Sequence, residues 1–163
     1  MISIKTSPKN KKYFKKVKKL AKEIVEIYRE IGIEPVAYGG LVYFGYTRDK
    51  NAVIHDIDLL VPEKSLGKVA EILKDRKIRY HWNPERHDFK IYREGAKVEL
   101  DSIEGYCGKG RIKDEFDFDG LKVRAVSLDS LINTYRGACK ESRGKHKQHV
   151  KRYEELLKLK IKC

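Results

Sequence analysis

"VAYGGLVYFGYTRDKNAVIHDIDLLV", residues 36–61, decides how the rest of the chain is read. Its first part is a short strand, with Pro35 before it and Gly39-Gly40 closing it. "LVYFGY" follows as a brief helix or turn, and "TRDKNAVIH" as a loop into a second apolar strand, "VIHDIDLLV". Within that strand Asp56 and Asp58 stand one residue apart, followed by Leu59, Leu60 and Val61. A carboxylate turned toward an interior loses hydration, which costs several kcal/mol unless something compensates. Residues i and i+2 of a strand share a face and lie ~7 Å apart, so both acids point one way while Ile57 packs the other.

The flanking sequence supplies a scaffold. Upstream, residues 9–31 repeat apolar side chains every three or four positions: Phe14, Val17, Ala21, Ile24, Tyr28 and Ile31, widened by Leu20, Val25 and Ile27. That is an amphipathic helix, stopped by Gly32. Downstream, "SLGKVAEILKDRK" is a second one and "IRYHW" begins another strand. "HDFKIYR", Glu94-Gly95 and "AKVELDSI" make a hairpin, and "DEFDFDGLKVRAV" makes a second one around Asp119-Gly120. Ser127 has the chemistry of a helix N-cap before "LDSLINTY", and a last helix spans about 144–159. The pattern predicts one α+β domain over residues 1–163: a mixed β-sheet with helices on it over about 1–126, and a helical tail over 127–163.

Two converging carboxylates repel unless a cation sits between them, and oxygen-only ligands suit Mg²⁺. The alternative is a pair of salt-bridged surface acids on a half-exposed strand. The later strand "KVELDSI" also alternates, so Glu99 and Asp101 share one of its faces. If it runs beside the first strand, a third carboxylate joins, enough for two Mg²⁺ ions ~3.5–4 Å apart in an in-line phosphoryl displacement. Gly39-Gly40, by itself only a turn, then gains a use. It lets backbone and the free N–H groups of a following helix approach a phosphate closely.

"YGG", then fifteen residues, then "DID", then an acid in a later hairpin strand resembles the DNA polymerase beta-type nucleotidyltransferase superfamily. It is nearest to the small stand-alone members: the aminoglycoside and lincosamide nucleotidyltransferases and the minimal archaeal and bacterial ones. Residues 39–61 resemble the antibiotic-modifying branch, "VELDSIEGY" the third-acid strand of archaeal CCA-adding enzymes, and "LDSLINTYRGACKESRGKHKQHVKRYEELL" the helical segment of small members. The resemblance covers roughly residues 36–157. It implies a nucleotidyltransferase-like mixed sheet with flanking helices and a C-terminal helical segment. It also implies transfer of a nucleoside monophosphate from an NTP, ATP first among them, to a hydroxyl acceptor with release of pyrophosphate. Gly39 and Gly40 would hold the β- and γ-phosphates. Asp56 and Asp58 would ligate two Mg²⁺ ions, with Mn²⁺ as a substitute. The third metal ligand and base would be Asp101, with Glu99 as its rival. Arg48, Arg143 and Lys145 would neutralise the triphosphate. Two departures stand out. Gly-Gly replaces the commoner Gly-Ser, and Lys145-His146 is followed by Gln148-His149 where relatives often place an acid.

Composition bears on partners. Of 163 residues, 37 are Lys or Arg and 24 Asp or Glu, a net charge of +13 that favours a polyanion. A thermophile-type ionic surface accounts for the same charge, since Gln148 is the only glutamine. Lys9 to Lys22 load the first helix and read either as a solvated face or as a phosphate-contacting patch. Cys107, Cys139 and Cys163 are widely spaced and offer no zinc ligand pair. No secretory signal or membrane span is evident, which predicts a cytoplasmic protein. "GYCGKGR" at 105–111 lacks a phosphate-loop pattern and reads as a turn. His146 and His149 read as part of a basic helix, and Tyr80 and Trp82 as strand core. The acceptor is left open between a small hydroxylated molecule and RNA, and the oligomeric state is open too. The competing reading from another class is a non-catalytic nucleotide- or RNA-binding module of the same fold, such as a toxin–antitoxin component.

Overall fold

The computed structural model of the chain describes residues 1–106, 112–141 and 147–162. Eight strands form one mixed sheet in the order β1-β7-β8-β2-β3-β6-β5-β4. They are β1 (Ile2–Ser3), β2 (Val36–Tyr38), β3 (Ile57–Val61), β4 (Arg79–Asn83), β5 (Asp88–Arg93), β6 (Ala96–Ser102), β7 (Ile112–Phe118) and β8 (Leu121–Val126). The helices are α1 (Lys11–Glu30), α2 (Gly40–Thr47), α3 (Leu66–Asp75), α4 (Leu128–Glu141) and α5 (Lys147–Lys162). The sequence pattern anticipates all of these but β1, a two-residue strand too short to carry a period, which pairs in parallel with β7.

The apolar stripe of α1 becomes its buried face: Phe14, Val17, Leu20, Ala21, Ile24, Val25, Ile27 and Tyr28. Burying each large side chain of this kind contributes roughly 1.5–3 kcal/mol. Helix α1 packs against β3, β6 and β8, and α3 packs against β4. Helix α2 contacts β2, β3, α4 and α5. Both expected hairpins form, with Glu94 and Asp119 in the left-handed backbone region that their turns require. Ser127 caps α4, its Oγ accepting from the Ser130 N–H at 3.2 Å.

The central pairing is β3 with β6. They run parallel, with Asp58 opposite Glu99 and Leu60 opposite Asp101. Ile57, Leu59, Val98 and Leu100 fill the packed face, and the acids emerge on the other. Asp56, expected inside the strand, precedes it by one residue. Its position is therefore set by the loop before β3 rather than by strand alternation. That loop is pinned by α1. Asn10 donates from Nδ2 to the Ile54 carbonyl at 2.7 Å and accepts from the Ile54 N–H at 3.1 Å. The Tyr13 hydroxyl donates to the carbonyl of His55. The side chain of His55 itself is exposed.

Replacing Asn10 with Ala leaves two loop groups without their partner. Asn10→Ala is expected to lower the unfolding free energy by about 1–3 kcal/mol in urea titrations. A change within error in the titration midpoint contradicts the pin.

Candidate functional site

Asp56, Asp58 and Glu99 each offer a carboxylate oxygen, and the three oxygens all lie within 4.8 Å of one another. The parallel register delivers Glu99 beside Asp58, and the pinned loop delivers Asp56. The two candidates for the third acid separate here. Asp101 stands one pleat further along β6, opposite Leu60, outside the cluster. One of its oxygens accepts from the Tyr38 hydroxyl.

A cation already faces the cluster. The Lys97 Nζ lies 3.3 Å from Asp56 Oδ2 and 3.2 Å from Glu99 Oε1. Lys97 precedes Glu99 by two residues on the same strand face, so the alternation of "AKVELDS" carried this neighbour all along. Burial works against its ammonium, but Glu99 and Asp56 outweigh burial and hold its pKa above the usual lysine value. Lys97 does not neutralise three acids. Burial, then the charges of Asp56 and Glu99, push the Asp58 carboxyl well above its ordinary range. Burial, then Glu99, raises Asp56. Burial alone raises Asp101.

The donor set fits a divalent cation. It consists of hard carboxylate oxygens, converged beyond what one ammonium compensates, with an amine standing where further positive charge is needed. Gly39 shows how tightly the site is built. Its φ of +73° is in the region that favours glycine, and a Cβ there would lie 2.6 Å from Asp58 Oδ2. Gly40 begins α2, and a Cβ on it would lie 3.0 Å from Arg152 Nη1.

Part of this site, though neither Glu99 nor Lys97, lines a cleft of about 290 Å³ between the sheet, α4 and α5. Gly39, Gly40, Asp56, Asp58, Tyr135 and Arg152 all face it. In the sequence Arg152 reads only as the end of a basic stretch, Arg143 to Arg152, able to track RNA phosphates, and not as a residue of the nucleotide site. It donates to the Tyr135 hydroxyl and to the Val53 carbonyl, each at 3.1 Å. Its guanidinium sits 5.1 Å from the centroid of the Tyr43 ring. So held, it presents positive charge beside the first turn of α2. Arg48 does not reach the cleft: it caps the far end of α2, with Nε donating to the Gly45 carbonyl at 3.0 Å. Lys145, Arg143, His146 and most of "GYCGKGR" lie outside the described residues. Tyr80 and Trp82 pack on Phe89, with ring centroids 5.6 Å apart in each pair.

No protein-family model matches the chain, and no curated protein does. Solved structures do. The chain resembles the solution structure of the antibiotic-resistance factor ANT(2″)-Ia with a TM-score of 0.70 at 17% identity, over 87% of this chain and 83% of that one. A crystal structure of ANT(2″)-Ia in complex with adenylyl-2″-tobramycin matches with a TM-score of 0.65 at 17% identity, over 88% and 92%. The lincosamide antibiotic adenylyltransferase LnuA, lincomycin-bound, matches with a TM-score of 0.59 at 11% identity, over 84% and 94%. The fold is therefore nucleotidyltransferase-like, as the resemblance of the motifs implied.

The elevated carboxyls have a consequence for stability. An acid whose pKa is raised by folding binds more protons folded than unfolded. Its stabilising contribution is complete below the ordinary value of 3.8 and disappears as pH rises through the elevated one. At neutral pH in metal-free buffer the unfolded chain ionises Asp58 freely while the folded site disfavours the anion, so this carboxyl opposes folding. Asp58→Asn is expected to exceed the parent protein in stability there by on the order of 1 kcal/mol. The difference should shrink toward acidic pH, where protonated Asp58 and Asn are nearly isosteric. Paired thermal melts across pH measure it, and a variant less stable than the parent at neutral pH contradicts the geometry.

Proposed function

We propose that the chain transfers a nucleoside monophosphate from an NTP to a hydroxyl of an acceptor, releasing pyrophosphate. The observation that carries the reading is the convergence of Asp56, Asp58 and Glu99 beside the Gly39-Gly40 turn and Arg152. Similarity in fold to structures that include an adenylyltransferase supports it, and the adenylyl group in that name makes ATP the first donor to test.

Asp56, Asp58 and Glu99 would hold Mg²⁺, with Glu99 taking the place first assigned to Asp101. Bound there, divalent ions supply charge neutralisation of the triphosphate and a clamp on the attacking and leaving oxygens. The chain's own groups do the rest. Gly39, lacking a side chain, lets a phosphate oxygen approach the backbone next to Asp58. The free N–H groups of the first turn of α2 and the Arg152 guanidinium receive the leaving pyrophosphate. The acceptor oxygen forms a bond to the α-phosphorus as the bond from that phosphorus to the bridging oxygen of the pyrophosphate breaks. The acceptor proton passes to the carboxylate of Glu99. Positioning and charge placement account for most of the acceleration.

The second reading is an RNA acceptor. Lys11, Lys12, Lys15, Lys16, Lys19 and Lys22 are exposed on α1, and the first turn of that helix has no acidic residue to complement its dipole. A steep fall of RNA affinity with salt marks that mode, whereas a small-molecule enzyme shows only weak association.

Incubation with labelled ATP, Mg²⁺ and either total RNA or a panel of hydroxylated small molecules tests the transfer. Asp58→Asn and Glu99→Gln are expected to lower the rate by about 10³-fold or more. Arg152→Met should lower it by about 10²-fold. Persistent transfer by Asp58→Asn removes the assignment, and absence of transfer to every acceptor favours a non-catalytic binding module. Lys97→Met should tighten Mn²⁺ binding to the nucleotide-free protein by about tenfold, read by electron paramagnetic resonance, because a competing charge ~3 Å from two ligands is gone. Unchanged or weaker binding shows that Lys97 does not occupy the cation position.

A further inference from the structure

The parallel pairing of β3 with β6 brings an ammonium to the acids by backbone register. Ile57 stands opposite Val98, so Asp56 and Lys97 are each one residue back along their own chains. Lys97 is therefore delivered against Asp56 by the same pairing that delivers Glu99 against Asp58. Its side chain is 31% exposed, and its Nζ meets Asp56 Oδ2 at 3.3 Å and Glu99 Oε1 at 3.2 Å. Lys90 of β5 also stands opposite Glu99, but it pairs with Asp88 at 3.5 Å. Among the described residues, Lys97 is the cation of this cluster.

The three acids do not all face the same space. Asp56 and Asp58 line the cleft, and Asp58 Oδ2 is turned to the glycine turn, 2.6 Å from where a Cβ on Gly39 would sit. Glu99 and Lys97 do not line it. The cluster thus has two sides for positive charge. One, on Asp56 and Asp58, opens toward the proposed phosphate cradle. The other, on Asp56 and Glu99, is filled by the ammonium. Three ionised carboxylates are balanced by one ammonium and one divalent ion. A second divalent ion must either bind beside the ammonium or expel it. The first meets strong repulsion in a half-buried site, and the second breaks an ion pair with two partly desolvated carboxylates.

We propose that Lys97 is the resident cation of the second position, so that this chain takes up one divalent ion where the clamp of an in-line phosphoryl displacement otherwise takes two. The chemical role rests on the nucleotidyl-transfer reading, whereas the ion count does not. In that reaction the ammonium, held beside Glu99, stabilises the negative charge that develops on the attacking oxygen. It exchanges no proton. The acceptor proton passes to Glu99, and the bond from the α-phosphorus to the pyrophosphate breaks as the new one forms. Lys97 is then a catalytic residue rather than a plug that incoming ions displace.

Counting bound ions tests this without any turnover. The full chain is dialysed to equilibrium against Mn²⁺ and the α,β-methylene analogue of ATP, which cannot transfer its nucleotidyl group. The bound Mn²⁺ is counted and its electron paramagnetic resonance spectrum recorded. The parent protein is expected to hold one Mn²⁺ per chain. Lys97→Met should hold two, and ions ~3.5–4 Å apart then broaden each other's lines. Lys97→Gln gives the same count where the methionine variant does not fold, and Lys97→Arg, which keeps the charge, should stay at one. Two Mn²⁺ per parent chain overturn the proposal, because the lysine would then have given way to the second ion. So does a count of one in both neutral variants, since the lysine would not be what sets it. No bound Mn²⁺ in the parent overturns it as well, there being no ion for the ammonium to complement. A count that rises from one to two in a chain that labels no acceptor keeps the place of Lys97 and removes the transfer reading alone.

Discussion

Three carboxylates with one ammonium between them set the terms for everything around them. Ionised acids within 4.8 Å of each other repel, and partial burial strengthens that repulsion by thinning the solvent between them. The chain holds them together by rigid means. The parallel pairing of β3 with β6 fixes Asp58 against Glu99. Asn10 and Tyr13 of α1 fix the loop that carries Asp56. The apolar undersides of the same strands, Ile57, Leu59, Val98 and Leu100, are fully buried and supply the stability that the acids spend. A site of this kind is strained when empty of countercharge and relieved when a cation enters, the arrangement expected where function and stability compete.

The helical tail takes part in the same arrangement. Arg152 reaches from α5 to the Val53 carbonyl, to Tyr135 on α4 and to the Tyr43 ring on α2. One guanidinium thereby ties three elements together and still faces the cleft. Charge is partitioned around this centre. Lysines occupy the outer face of α1, arginine and backbone N–H groups face the cleft, and acids line a neighbouring cavity. A net charge of +13 averages over these regions and describes none of them.

Much of the fold was legible because burial imposes periods on a chain. The stripe from Phe14 to Tyr28, the alternation of "HDFKIYR" and "AKVELDS", and the turns at Glu94-Gly95 and Asp119-Gly120 each write local geometry into residue order. Asp56 and Asp58 converge, but only half for the reason read from the sequence. Strand alternation accounts for Asp58, while Asp56 precedes the strand and converges through its loop. The resemblance offered Arg48 for the triphosphate, yet α2 carries it to the end remote from the cleft. Lys97 was visible in the pattern two residues before Glu99 and was passed over, since a single lysine among many carries no local mark of its partner.

Residue order by itself determined the elements, the glycine turn and the shared face of Glu99 and Asp101, because these follow from neighbours a few positions apart. Tertiary structure alone decided which of those two acids stands against Asp58. That choice depends on the register between strands some forty residues apart, which no local period encodes, and a shift of one pleat would exchange Glu99 for its neighbour. It also decided that Arg152 faces Gly40 and that a cavity free of Lys and Arg among the described residues opens beside the cleft. Contacts between distant elements arise from how the packed faces settle on one another, and only the folded chain records that.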